Sequence, residues 1–187
     1  MIWNEILCLG DSITYGARDS QRRSFPAELG KILTNKTGEV YYCHNHGICG
    51  ETSSDLMKRV WNSARGNSNA NIATVLIGTN DIQIPITEEV YEDNLRQIIS
   101  CLSINGMHTI LCTLPNLGST PLYLNNLNYI DKYNKIIYSL STEFSTSLCD
   151  LQGTEKFYID GVHYTHEGYN HIAKLLATTV LNITNKG

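Results

Sequence analysis

Ile6-Leu7-Cys8-Leu9-Gly10-Asp11-Ser12-Ile13-Thr14-Tyr15-Gly16 sets an apolar run against a glycine, an acid and a serine. The four apolar residues predict a short buried strand. A polar segment, residues 17–24, follows, and a helical pattern begins near Phe25. Gly10 allows a turn that a Cβ would block. Ser12 then stands at the carboxyl edge of a sheet, where free backbone N–H groups of the following turn can face an anion. A nucleophilic serine needs such a position. A strand–turn with a capping serine fits the same residues, so the remainder of the chain must decide between them.

Outward from this stretch, strands and helices alternate. Pro26 stands early in the helix that begins at Phe25, where its missing N–H costs nothing, and Gly38 is its C-cap. Residues 40–43 read as a second strand, rich in aromatic and β-branched side chains, and 45–51 as a loop holding Gly47 and Gly50. Hydroxyls at Thr52, Ser53 and Ser54 can cap the next helix, which ends at 66–69. Residues 72–77 are the longest apolar run before a turn and so the central strand, followed directly by Gly78-Thr79-Asn80-Asp81. Acids at Glu88 and Glu89 suit the start of a long helix that Gly106 ends. Residues 109–114 form a fourth strand and 115–121 a loop; a helix over 122–144, a fifth strand at 147–151, a polar loop at 160–166 and a helix over 167–181 complete the pattern. The alternation implies parallel βαβ units and an α/β fold: a three-layer α/β/α sandwich with about five parallel strands, one domain over residues 1–187. In such sheets ligands bind beyond the carboxyl ends of the strands. The polar punctuation after strands one, two and three falls at that edge.

Composition limits the function. With 42% hydrophobic and 17% charged residues, the 187-residue chain has the makings of a packed core. A net charge of −4, without any basic run, argues against nucleic acid or an anionic membrane as partner. No apolar run reaches the length of a membrane span. No basic segment followed by an apolar one opens the sequence, so no secretory signal is read. The six cysteines make no CxxC pair, which speaks against a zinc ribbon or redox motif. Cys8, Cys43, Cys112 and Cys149 fall in strand-like runs and are expected as small buried hydrophobes, a usage that suits the cytoplasm.

Chemistry gathers at the sheet edge. A serine nucleophile needs a base, and the base an orienting acid. In Asp160-Gly161-Val162-His163 the two side chains can lie on one side of a turn. Asp160 then accepts from one ring nitrogen of His163 while the other faces Ser12. The Asn80 amide can donate to an oxyanion, although the same residue serves an Asx-turn. A backbone N–H at Gly50 could be a second donor, with Gly47 competing for that place.

These four blocks, in this order, resemble the SGNH hydrolases, or GDSL esterase/lipase family. Gly10-Asp11-Ser12-Ile13 matches the first block, with Ile13 for the usual leucine. Residues 45–52 resemble the second, whose glycine maps best to Gly50; Gly78-Thr79-Asn80-Asp81 and Asp160-Gly161-Val162-His163 are the third and fourth. The resemblance implies a flavodoxin-like sandwich and cofactor-free hydrolysis of carboxylic esters. Ser12 would be nucleophile, His163 base and then acid, and Asp160 its orienter. The Ser12 N–H, the Gly50 N–H and the Asn80 side chain would form the oxyanion hole. A small-molecule ester, either a short-chain acyl ester or an O-acetylated carbohydrate, is the expected partner. A lysophospholipase or thioesterase of the same family and a non-catalytic SGNH-like binding module are the alternatives.

No metal site is expected. His44, His46, His108, His166 and His171 are read as surface or loop residues. Tyr129, Tyr133, Ile136 and Ile137 read as a helix packing face, Asp11 as the residue that fixes its turn, and Asp81 as mainly structural. The loop over 115–126, which follows strand four, is expected to shape the pocket.

Overall fold

Strands β1 (Trp3–Gly10), β2 (Val40–Gly47), β3 (Ile72–Leu76), β4 (His108–Cys112) and β5 (Ser147–Cys149) form one parallel sheet in the order β2-β1-β3-β4-β5. The computed structural model describes residues 3–21, 23–84, 86–118 and 127–185. The sequence pattern explains the central positions. Ile6, Leu7, Cys8 and Leu9 are wholly buried, as is all of β3, because helices cover both faces. The strand order reverses at β1, so the crevice of the fold opens between β1 and β3.

Helices α1 (Ser12–Tyr15), α2 (Phe25–Thr37), α3 (Ser53–Gly66), α4 (Thr79–Gln83), α5 (Glu88–Ile104), α6 (Asn128–Glu143) and α7 (His166–Thr184) fill the outer layers and turns. Helices α2 and α7 pack together, α3 packs on α5, and α5 on α6. The helix starts follow local chemistry. Thr52 and Asp55 form a reciprocal capping box at α3. Thr87 and Thr165 accept from the Val90 and Gly168 amides at α5 and α7. Stacked Tyr91 and Tyr133 rings, 3.9 Å apart, join α5 to α6. The Tyr91 hydroxyl donates to the Ile77 carbonyl at 2.8 Å and so anchors the chain just before Gly78.

Several boundaries differ from the sequence expectation. Strand β2 continues through His44, Asn45 and His46 to Gly47, pairing with β1 along its whole length. The loop expected over 45–51 is thus strand as far as Gly47; its polar side chains carry no strand pattern. On an edge strand they find polar partners on neighbouring elements instead of a core: His44 Nε2 meets Glu5 Oε2 on β1 at 2.8 Å, and His46 Nδ1 meets Ser63 Oγ on α3 at 3.2 Å. These two histidines, and His108 on β4 against Ser147 Oγ at 2.9 Å, are therefore strand residues rather than loop residues. Strand β5 stops at Cys149, after which the Thr113 hydroxyl takes the Leu151 amide at 2.8 Å. Helix α6 is described only from Asn128. The expected start at Leu122, and most of the loop expected to shape the pocket, lie outside the described residues. Among the described residues no helix is long and apolar enough to cross a membrane.

The α3 capping box can be tested directly. Thr52→Ala removes the acceptor for the Asp55 amide and should lower stability by about 0.5–2 kcal/mol. A urea midpoint that falls with an unchanged denaturant slope is the expected outcome.

Candidate active site

The serine turn is built by close backbone approach. A Cβ on Gly10 would lie 2.2 Å from Thr14 Oγ1 and 2.3 Å from the Leu76 carbonyl oxygen. A Cβ on Gly47 would lie 2.1 Å from the Tyr15 amide nitrogen. Only glycine lets β1, β2 and β3 end this tightly around α1. Asp11 is the N-cap of α1, and its Oδ1 accepts the Ile13 amide at 2.9 Å. Ser12 is the first residue of the helix, where no carbonyl of that helix can take its N–H. Neither α1 nor α4 was foreseen, and each carries a candidate site residue.

The turn between Ile159 and His163 supplies the candidate base. The Ile159 amide donates to the His163 carbonyl at 2.8 Å, Gly161 has φ +86°, and the Gly118 amide donates to the Gly161 carbonyl at 2.7 Å. Asp160 Oδ1 accepts the His163 and Val162 amides at 2.8 and 3.2 Å. That leaves Asp160 Oδ2 2.8 Å from His163 Nδ1, while His163 Nε2 lies 3.0 Å from Ser12 Oγ. Burial pushes the Asp160 carboxyl up, but the His163 amide, the His163 ring and the Val162 amide outweigh it. Asp160 is held below the usual carboxylate range. An ionised Asp160 accepts from Nδ1–H, and Nε2 is then the acceptor for the serine hydroxyl.

Ser12, Gly50, Asn80 and His163 line one cavity of about 500 Å³, shared with Tyr15, Arg18, Cys49 and Gln83. Gly50 and Gly47 part company here. Gly50 is left-handed, with φ +82° and open space beside it, and faces the cavity; Gly47 is packed against α1. Asn80 Nδ2 donates to the Glu51 carbonyl at 2.8 Å, which leaves its second N–H for other acceptors. Asp81 turns away from the cavity. It accepts the Ser53 amide at 2.9 Å, and the Ser53 hydroxyl as well, tying α4 to the start of α3. Among the described residues no group of three His, Cys, Asp or Glu side chains is placed to hold a metal ion.

Sequence reasoning missed two residues at this edge. Arg59 on α3 meets the Glu51 carboxylate, with Nε 2.8 Å from each oxygen. No spacing rule joins a loop acid to a residue eight positions on in a helix. Among the described residues, the fully buried Asp11 Oδ2 has no hydrogen-bond partner. Burial, reinforced by the charges of Asp81 and Glu51 and opposed by the Ile13 amide, raises the Asp11 carboxyl from 3.8 to about 7.

The sign for stability follows. Folding takes up a proton at Asp11 between its ordinary value and about 7, so its contribution is complete below about pH 4 and lost as pH rises through 7. Wild type should lose on the order of 1–4 kcal/mol relative to Asp11→Asn between pH 4 and pH 8. Urea melts of both proteins at the two pH values check this. An unchanging difference would mean that Asp11 is ionised when folded.

Known proteins share the family and the fold. A multidomain esterase of Ruminococcus flavefaciens is 26% identical over 91% of this chain, which spans only 27% of that protein's length. The fold is shared with a lipase/acylhydrolase from Enterococcus faecalis, with a TM-score of 0.81 and 23% identity over 95% of both chains. A carbohydrate acetylesterase from Sinorhizobium meliloti has a TM-score of 0.81 at 14% identity, over 96% of this chain and 99% of its own. An acetyl xylan esterase from Geobacillus stearothermophilus has a TM-score of 0.75 at 21% identity, over 96% and 93%. Residues 8–171, which contain the serine turn, the Gly50 loop, Asn80 and the Asp160–His163 turn, match the GDSL-like Lipase/Acylhydrolase family, and the chain belongs to that family of carboxylic ester hydrolases.

Proposed function

We propose that this protein is a serine esterase that removes a short acyl group, acetate above all, from a polar alcohol such as a sugar. The observation that carries the chemistry is the continuous pair of contacts Ser12 Oγ to His163 Nε2, 3.0 Å, and His163 Nδ1 to Asp160 Oδ2, 2.8 Å, at the wall of the cavity that Gly50 and Asn80 share. Ser12 Oγ attacks the ester carbonyl carbon while Nε2 takes its proton. The oxyanion is met by the Ser12 and Gly50 amides and the free N–H of Asn80. As the intermediate collapses, His163 returns the proton to the departing alcohol and leaves an acyl-serine. Water, deprotonated by the same nitrogen, releases the acid and restores Ser12.

The substrate class rests on the cavity. Its wall is mixed, with Arg18, Asn80 and Gln83 beside Tyr15 and Val162. Tyr15 is 58% exposed at its rim, an aromatic face of the kind on which a sugar ring can lie. Two of the structural neighbours are named for acetylated carbohydrates. Free cysteines throughout the described chain, three of them buried, support a reducing compartment.

An alkyl fluorophosphonate should label wild type at Ser12 and leave Ser12→Ala unlabelled, and Ser12→Ala should lose about 10⁴–10⁶-fold in rate. Turnover on acetyl esters, acetylated xylose oligomers included, should exceed that on octanoyl and palmitoyl esters. Faster turnover of the long chains would turn the assignment toward a lipase, and a wild type that neither labels nor turns over would mark a binding module. Asn80→Ala should lower kcat by about 10²–10³ with KM little changed. A change confined to KM would make Asn80 a substrate-binding residue instead.

A further inference from the structure

The proposed oxyanion wall is held from behind by one partly buried ion pair. Glu51 directly follows Gly50, and its backbone carbonyl is the acceptor that orients the Asn80 amide. The Glu51 side chain is 13% exposed and that of Arg59 19%. Besides gripping both carboxylate oxygens through Nε, the Arg59 guanidinium donates from Nη2 to the His46 carbonyl at 2.8 Å and toward the Gly10 carbonyl at 3.4 Å. Its Nη1 reaches Ser63 Oγ at 3.4 Å. The Gly10 carbonyl also accepts the Ile48 amide at 3.0 Å. One planar cation therefore joins the end of β1, the end of β2 and the loop that carries Gly50, and through Glu51 it reaches the residue after β3 that carries the side-chain donor.

Such a pair is a poor source of stability, because taking both charges out of water offsets most of their attraction. Its geometry is better suited to fixing position. A guanidinium has five donors in a rigid fork and can serve a carboxylate and two carbonyls at once, which a lysine ammonium on its flexible stem cannot. The donors it braces act only if they meet the oxyanion at hydrogen-bond distance, and a misplacement near 1 Å can cost about 10²-fold in rate.

We propose that Arg59 is a positioning residue for ester hydrolysis: gripping Glu51, it sets the Gly50 amide and the Asn80 amide against the ends of β1 and β2 so that both converge on the oxyanion. This rests on the esterase reading above. Its signature is loss of transition-state binding without loss of substrate binding.

The test compares wild type with Arg59→Met, Arg59→Lys and Glu51→Gln. Each is assayed with p-nitrophenyl acetate and titrated with a small alkyl boronic acid, whose adduct on Ser12 places a negative oxygen in the oxyanion position. Thermal melts confirm which variants are folded. Arg59→Met should lower kcat by roughly 10–100-fold with KM within about threefold, and weaken the boronic acid by a similar factor. Arg59→Lys should recover part of both losses. Glu51→Gln keeps the backbone carbonyl and should show the same paired losses more mildly, and it carries the test alone if Arg59→Met does not fold. A folded Arg59→Met with kcat and boronic acid affinity within about twofold of wild type overturns the proposal, as does a loss in KM only. A wild type without turnover sensitive to Ser12→Ala overturns the esterase reading itself, and this inference with it.

Discussion

The structure turns on how closely three strand ends approach one another at the crevice. At Gly10 there is no room for a single methyl group between the β1 backbone, Thr14 and the Leu76 carbonyl, and at Gly47 none between β2 and the Tyr15 amide. This is a steric constraint before it is a chemical one. It forces the chain leaving β1 into the four-residue helix α1, and it exposes the first amide of that helix together with the Ser12 hydroxyl. It also brings the loop after β2 and the residues after β3 within reach of that amide. The three donors assigned to the oxyanion come from these three strand ends, which meet only because their side chains are absent or small.

The proposed base arrives by a different route. Asp160 and His163 belong to a turn that is complete in itself: one carboxylate oxygen closes the backbone, leaving the other to orient the ring. The imidazole is thus presented as a preset unit rather than assembled from distant side chains. What remains for the tertiary fold is to bring that unit to Ser12. The Gly118–Gly161 hydrogen bond and the capping of α7 by Thr165 hold the turn at the sheet edge.

This division explains what could be read from the sequence. β1 and β3 were legible because they are apolar on both faces, and the Asp160–His163 turn because its geometry is local. The far half of β2 was not, since His44, Asn45 and His46 carry no apolar alternation and gain their order from Glu5, Ser63 and neighbouring loops. Helices α1 and α4 were missed because four and five residues are too few to show a period; their caps and glycines define them. That Gly50 faces the cavity while Gly47 packs against α1 needed the third dimension, as did the pairing of Glu51 with Arg59. Ser12 and Asn80 were visible as residue types just after strands, and Asp160 and His163 as a local pair, but nothing in a linear pattern could place Ser12, Asn80 and His163 around one cavity.

Ser12 and His163 stand 151 residues apart in sequence and 3.0 Å apart in space. The serine turn, the Gly50 loop and Asn80 all lie in the first half of the chain, whereas His163 comes just before its closing helix. The loose end is closed only when the turn before α7 docks and α7 packs on α2. On the esterase reading, Ser12 meets its base only when the two ends of the chain come together. On that reading, recovery of turnover on refolding reports the docking of the turn that carries His163, with no label and no probe beyond the substrate.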